Sequence, residues 1–352
     1  MIEKKRVTVA MSGGIDSAVA ALITLNSGYE VSGATMRLCP KITIGSDTID
    51  NDISDAAEVC RQLSIPHRVH DMRVLFKDSV IRDFIDTYYA GGTPNPCIVC
   101  NKTMKFGAFL EEELSIGADY IATGHYARIE EKNGRFLLKK AADEKKDQTY
   151  MLWSLSQHQL SHTLFPLGDM TKSEIRALGE ERGFLIAHKS DSQDICFVPD
   201  GDYASFIERD LGEKYPIGDY VDEEGNILGK HKGQIHYTIG QRKGLGISMG
   251  KHIFVTKKDS ETNQVTLADE DRLFTDTVII KNINLIPFNK IEGKIRVKAK
   301  IRYRHQESDA YAEQTGEDEI TLTFDEPQRA PAKGQSAVMY DGDYVVGGGI
   351  IQ

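Results

Sequence analysis

"VTVAMSGGIDSAVAALI", residues 7–23, decides how this chain is read. An apolar, β-forming run stops at Ser12-Gly13-Gly14, and an Ala-rich helix-forming run begins directly after it. A strand, a glycine turn and a helix in immediate succession open a parallel α/β layer, because a crossover helix lets the next strand run in the same direction. The turn also carries chemistry. Glycines let backbone N–H groups approach a ligand closely, and the positive end of the following helix favours anions, so the loop suits phosphates. It contains no Lys and lacks the G-x-x-x-x-G-K-[ST] spacing, which excludes the phosphate loop of kinases and GTPases. Read alone, the stretch is equally a tight turn with Ser12 capping and Asp16 on the first helical turn.

The rhythm continues outward. Segments 6–11, 29–36 and 67–71 read as strands, with helices expected at 15–27, near 53–64, at 75–89 and at 102–115. "ADYIATGHYARI" (118–129) adds a buried strand ending in a Gly-His turn, and "TKSE" (171–174) has capping-box spacing that opens a helix reaching about Arg182. Beyond that helix, short alternating runs punctuated by Gly replace helical periodicity. The expected organisation is a parallel-sheet α/β domain over 1–207, a small β-rich domain over 208–275 and a C-terminal β-barrel over 276–352. The 352 residues, 40% of them hydrophobic, suffice for cores of this size.

No apolar run has membrane length and no signal-peptide pattern opens the chain, so the expectation is a cytoplasmic protein without a membrane partner. Five cysteines are too few for a disulfide framework. The net charge of −10 argues against a surface coated in basic residues, but local patches decide nucleic-acid binding. Two stretches are locally cationic. Residues 226–258 hold seven Lys/Arg and no Asp or Glu, and "KIRVKAKIRY" (294–303) alternates strictly, placing Lys294, Arg296, Lys298, Lys300 and Arg302 on one strand face. A basic nucleic-acid platform and an ordinary solvated face are both open readings.

The loop matches S-G-G-x-D-S and thereby resembles the pyrophosphate-binding loop of the N-type ATP pyrophosphatases, which cleave ATP between the α and β phosphates. The cysteines divide into two groups. Cys39, after the second strand, and Cys60, on a helix with Ile53, Ala56, Ala57 and Leu63 at helical spacing, read as buried small hydrophobes. Cys97, Cys100 and Cys196 sit in polar loops bearing Gly and Pro. Cys100 is expected just before a helix and near Lys102 and Lys105, an environment that favours thiolate. A lone C-x-x-C is a redox pair, half a zinc site or chance, and no second C-x-x-C completes a four-cysteine zinc site.

Taken in order, "AMSGGIDS", "GGTPNPCIVCNKTMKFG", "ATGHYARI", "KDQTYMLWSL", "LFPLGDMTKSEIR", "KSDSQDICFV", "GQIHYTIGQRKGLG", "KIRYRHQ" and "PAKGQSAVMYDGDYVVGGGII" span nearly the whole chain. This series resembles the tRNA-specific 2-thiouridylases. The resemblance implies an adenine-nucleotide alpha-hydrolase-like (PP-loop) domain using ATP and Mg2+, followed by the β-rich domain and barrel. It implies that ATP adenylates the C2 oxygen of wobble uridine 34 in the anticodon stem-loop of tRNA. A persulfide on Cys196 then delivers sulfur, and Cys100 releases the product, leaving a Cys100–Cys196 disulfide. Carried over in the same way, ATP meets Ala10, Met11, Ser12, Gly13, Gly14, Ile15, Asp16, Ser17, Met36 and Gly124. The target base and tRNA meet Asn95, Pro96, Cys97, His125, Lys146, Asp147, Gln148, Arg302, Tyr303 and Gln335. Read without the resemblance, His125 is a capping or core histidine, and Asp147 and Gln148 belong to an ordinary loop.

Sulfur would come from a cysteine desulfurase or a sulfur-relay protein. One departure from the family pattern matters: relatives commonly carry Asp where Cys97 stands. With Cys97, Cys100 and Cys196 the site offers three thiolates, the set that holds a [4Fe–4S] cluster with one open iron, so a cluster stands beside the persulfide as a second route. An amide-forming synthetase with the same loop, and a non-catalytic tRNA-binding or cysteine-sequestered zinc protein, are the competing readings.

Overall fold

The computed structural model describes residues 4–39, 46–189, 195–247 and 250–352, leaving aside the side chains of 46–50. The chain divides into two compact units. The first comprises Met1–Val80, Cys97–Pro199 and Gly342–Val346, and the second comprises Ile81–Pro96, Asp200–Asp341 and Gly347–Gln352.

In the first unit, β1 (Arg6–Ala10) leads through the glycine turn into α1 (Ile15–Asn26), followed by β2 (Glu30–Arg37), α2 (Ser46–Gln62) and β3 (His67–Asp71). Next, α3 (Arg73–Phe76) passes through a π-wound turn into α4 (Arg82–Tyr89), whose residues belong to the second unit. A second helical run starts at α5 (Pro96–Val99), is π-wound over Cys100–Phe109 and ends as α6 (Leu110–Ser115). β4 (Tyr120–Ala122) follows, then the hairpin β5 (Arg128–Lys132) and β6 (Arg135–Lys139), α7 (Gln157–Ser161), β7 (Thr163–Leu164) and α8 (Lys172–Glu181).

The sheet has the order β3-β2-β1-β4-β7 and every pair is parallel. The strand order therefore reverses between β1 and β4, and the crevice beyond the carboxyl ends of these two strands is where such sheets bind ligands. Near-complete burial explains the Ala-rich composition of α1: Ala18, Ala20 and Ala21 are inaccessible and pack in one core with Val7, Val9, Val31, Val59, Cys60 and Ile175. The capping box at Thr171 and Glu174 starts α8 where the spacing predicts.

The second unit contains α9 (Tyr203–Leu211), the sheet β10-β11-β8-β9 and a barrel. The sheet is built from β8 (Gly218–Val221), β9 (Ile227–His231), β10 (Phe254–Asp259) and β11 (Gln264–Ala268). The six barrel strands are β12 (Phe274–Leu285), β13 (Lys294–Lys300), β14 (Ser308–Gly316), β15 (Glu319–Arg329), β16 (Ser336–Asp341) and β17 (Tyr344–Ile351). They close in the order β12-β15-β14-β13-β16-β17, with β17 returning to β12. The fold class is the expected one, a parallel α/β sheet followed by a β-rich segment and a β-barrel.

Residue 208, near the expected boundary, lies inside α9, whose helical period outlasts the change in composition. β4 stops at Ala122 and the Gly-His turn follows it, as expected. One local expectation changes. The helix expected from 102 starts at Pro96, a residue that suits the first helical position because it lacks an N–H.

Candidate active site

The loop after β1 is held by its own serines. Ser17 Oγ accepts from Ser12 N at 3.1 Å and from Ser12 Oγ at 3.2 Å, and donates to Gly14 O at 2.9 Å. Gly13 has φ +71°, and a Cβ there would meet Asp52 O at 2.4 Å, so the turn excludes any side chain. From the end of β4, Gly124 closes on the loop: a Cβ would lie 2.8 Å from Asp16 C and 2.9 Å from Ser17 N, both backbone atoms. The structure thus brings Gly124 to residues 12–17, on the two strands that flank the switch crevice. Ala10 ends β1 and Met11 follows it, its N–H donating to Ala34 O at 2.8 Å, and Met36 lies near the end of β2.

Sequence reasoning missed a residue here. Lys172, the first residue of α8, places Nζ 2.7 and 2.8 Å from the two oxygens of Asp16, and Tyr126 OH donates to Asp16 Oδ1 at 2.8 Å. The capping box accounted for "TKSE" and drew attention away from its lysine.

All five cysteines belong to the same unit, and Cys39, Cys97, Cys100 and Cys196 lie near enough there to influence one another. Cys196 sits in a tight turn in which Val198 N bonds Ile195 O at 2.9 Å, and the buried Phe197 fixes the turn against Phe76. Ser190 to Asp194 of the "KSDSQDICFV" stretch lie outside the described residues. Cys97 and Cys196 keep exposed faces, whereas Cys100 and Cys39 are buried.

The charge states differ from expectation. Burial pushes Cys100 up to about 12, opposed only in part by Lys105, and the neighbouring Cys196 and Cys97 add to the rise. Cys100 also lies within the continuous helical run from Pro96, past the first turn where a helix N-terminus acts, so the dipole contributes little. Burial likewise raises Cys97, against Lys105. Cys39 is not simply packing: its thiol is hydrogen-bonded to Cys196, which holds Cys39 below and Cys196 well above the usual thiol range. Of the two, Cys39 is therefore the more acidic thiol. Cys60 does behave as a small hydrophobe, pushed up to about 11 by burial.

Among the described residues no three Cys, His, Asp or Glu side chains are arranged to hold a metal ion. Cys97 and Cys196 both act on Cys100, so the three thiols of the cluster expectation are neighbours, and ligation to a metal would itself ionise them.

Several residues expected to meet tRNA have internal partners. His125 is buried beside Phe106 and Phe165, its Nδ1 2.7 Å from Thr123 Oγ1, and burial holds it well below the usual histidine range. Gln148 Oε1 accepts from Tyr126 N at 2.9 Å and so secures the turn after β4, whereas Asp147 accepts from Ala141 N at 3.0 Å and Thr149 Oγ1 at 2.6 Å and secures the segment after β6. The adjacent Lys146 donates its backbone N–H to Asp143 O at 3.0 Å.

Asn95, Pro96, Arg302, Tyr303 and Gln335 belong to the second unit. There Gln335 Nε2 donates to Thr93 O at 2.9 Å and Pro94 O at 3.0 Å, Arg302 donates to Ala330 O at 2.6 Å, and Tyr303 lies under Lys300. The alternating face of β13 is exposed as expected but not freely cationic. Arg296 pairs with Asp325 and Asp309, and Lys294 pairs with Glu313. The strand ends at Lys300, so Arg302 does not continue that face. In 226–258, Lys230 and Lys251 pair with Asp219 and Asp269, and Lys258 is buried, which lowers it to about 8.

Three protein-family profiles match in succession: one described as a tRNA methyl transferase HUP domain over 5–200, a tRNA methyl transferase PRC-barrel domain over 204–269 and an aminomethyltransferase beta-barrel domain over 275–351. Full-length relatives include the tRNA-specific 2-thiouridylase MnmA of Acetivibrio thermocellus, 48% identical with all of each chain covered. Others are that of Clostridioides difficile, 48% identical over 100% of this chain and 99% of the relative, and that of Treponema denticola, 46% identical over 99% and 98%.

Proposed function

This chain belongs to the tRNA-specific 2-thiouridylase family, and from that premise we propose that it adenylates O2 of wobble uridine 34 and replaces it with sulfur. The products are 2-thiouridine, AMP and pyrophosphate. One observation carries the reading: a phosphate-cradling loop and a set of thiols drawn from distant segments belong to one compact unit. Methyl transfer, which two of the profile descriptions name, has no use for such a pairing of loop and thiols.

The loop N–H groups and the N-terminus of α1 would receive the polyphosphate, with Asp16 as the carboxylate able to meet Mg2+, which supplies charge neutralisation. Attack of uridine O2 on the α phosphate breaks the α–β bond, and pyrophosphate leaves with the electron pair. The adenylated oxygen is then a good leaving group. The terminal sulfur of a persulfide on Cys196 attacks C2 and AMP departs. Cys100 next attacks Sγ of Cys196 in the resulting adduct, the electron pair moves to the sulfur on C2, and 2-thiouridine is released. A Cys100–Cys196 disulfide remains and an external thiol reduces it. The sulfur donor belongs to the class of desulfurases or sulfur-relay proteins.

Burial gives Cys100 a reason to wait. A thiol raised to about 12 stays protonated at neutral pH, so it does not discharge the persulfide before the nucleotide and base arrive. Gln148 serves tRNA indirectly in this reading, by holding the turn that carries Gly124 and His125.

The test is thiolation by anaerobically purified enzyme with ATP, unmodified tRNA and a persulfide donor, read by nucleoside mass spectrometry alongside iron and sulfide assays. Iron-free enzyme is expected to form 2-thiouridine with stoichiometric AMP. Activity that tracks bound iron and disappears on its removal would transfer the sulfur step to a cluster.

A further inference from the structure

Residues 91–95, between α4 and the helix that opens at Pro96, belong to the second unit, and three of its elements hold them there. Every backbone N–H and C=O from Gly92 through Pro94 has a partner. Gly92 N donates to Thr87 O of α4 at 2.8 Å, and Gly92 O accepts from Lys258 Nζ of β10 at 3.2 Å. Thr93 N donates to Lys333 O, just ahead of β16, at 2.7 Å. Gln335 Nε2 donates to Thr93 O at 2.9 Å and Pro94 O at 3.0 Å. The segment thus takes its shape from a helix, the β-rich sheet and the barrel rather than from its own sequence. Directly after it come Asn95 and Pro96, which the thiolation reading assigns to the target base.

Only one of these bonds uses a charged donor. Lys230 and Lys251 face Asp219 and Asp269, but among the described residues no carboxylate pairs with Lys258. Its ammonium lies 5.8 Å from the centroid of the Tyr88 ring, and burial lowers it to about 8. Burying an unpaired cation costs free energy, and Gln335 shows that a neutral donor is sufficient to hold a carbonyl of this segment. A cost retained where a neutral group would serve marks a place where the stronger, charge-assisted bond matters.

We infer that Lys258 is a positioning residue for sulfur transfer: its ammonium anchors Gly92 O, so that Asn95 and Pro96 hold their place while the tRNA docks and the target uridine enters. This assignment rests on the thiolation reading above. Lys258 acts through the segment and touches neither the base nor a phosphate.

The experiment compares wild type, Lys258→Met and Lys258→Arg as full chains. It reads the single-turnover rate constant of 2-thiouridine formation with saturating enzyme, ATP and a persulfide donor, and the affinity for unmodified tRNA by filter binding at two salt concentrations. A rate constant measured this way does not depend on the fraction of protein folded, so it separates positioning from stability. Lys258→Met is expected to slow the reaction about 10- to 100-fold, as for loss of a hydrogen bond to a charged group, with tRNA affinity within about twofold. Lys258→Arg keeps a charged donor and is expected to recover most of the rate. An unchanged rate in Lys258→Met overturns the inference, and so does an arginine variant as slow as the methionine one. A loss of tRNA affinity with a shallower salt dependence also overturns it, because that marks a direct phosphate contact.

Gly92→Ala approaches the same bond from its other partner and keeps the inference testable if Lys258→Met does not fold. The added Cβ would lie 2.8 Å from Thr87 Cγ2 and 3.1 Å from Lys333 O, which displaces the segment and leaves the ammonium intact. The same slowing at unchanged tRNA affinity is expected, and a wild-type rate overturns the inference. A wild type that forms no 2-thiouridine at all overturns the thiolation reading itself, and the inference with it.

Discussion

The phosphate loop and the thiol group lie in the same unit and are prepared in opposite ways. Residues 12–17 are contiguous, internally hydrogen-bonded and closed over by Gly124, with every charge paired before any nucleotide is present. The thiols come from three separate segments; burial raises Cys97 and Cys100, and the bond with Cys39, then burial, raises Cys196. One half of the site is set for its ligand at rest, and the other is restrained until its partner arrives. That order suits chemistry in which a reactive sulfur must not act before the uridine is activated.

The largest expected effect separates the two halves. Cys196→Ser, and separately Cys100→Ser, are expected to abolish 2-thiouridine in nucleoside mass spectrometry while ATP affinity by calorimetry stays within about twofold, since neither side chain belongs to the loop. Loss of ATP binding in either variant would erase the distinction. The reverse experiment is Gly124→Ala. Its Cβ meets backbone at 2.8 and 2.9 Å, so it is expected to weaken ATP by about 100-fold or to cost about 2–3 kcal/mol of stability, leaving thiol alkylation rates unchanged.

A smaller effect sharpens the thiol side. The bond with Cys39 raises Cys196, so Cys39→Ala should return Cys196 toward the ordinary thiol value and increase its thiolate fraction at a given pH. Iodoacetamide labelling at pH 8 is expected to speed up about tenfold at Cys196, while Cys100, at about 12, stays slow in both proteins. Unchanged labelling of Cys196 would mean that Cys39 exerts no restraint. The smallest effect is expected far from either half: Arg296→Ala should change tRNA affinity less than about twofold, because Asp325 and Asp309 already neutralise that guanidinium. A larger loss in filter binding would restore the barrel strand as a tRNA platform.

The same contrast explains what the sequence could disclose. A loop whose contacts are local can be read from adjacent letters, so S-G-G-x-D-S and its position after a first strand led directly to the parallel sheet. Long-range partners leave no such trace. Cys39 reads as packing because its partner Cys196 is far along the chain, and Asp147 and Gln148 read as ordinary loop residues because the donors they accept from are backbone N–H groups of Ala141 and Tyr126. The strict alternation of β13 gave the exposed face correctly, but the acids facing it come from β14 and β15. For Lys172 a signal did exist: Asp16, in a loop with no lysine, asks for a cation from elsewhere, and a lysine opening a capped helix was available.

A single-turnover reaction tests the central claim most directly. Enzyme carrying a radiolabelled persulfide at Cys196 is mixed with ATP and unmodified tRNA, and AMP and labelled nucleoside are counted together. Adenylation followed by cysteine-borne sulfur transfer predicts one labelled 2-thiouridine at position 34 for each AMP released. Thiolated uridine without AMP, or label retained on Cys196 while the uridine gains unlabelled sulfur, would contradict it.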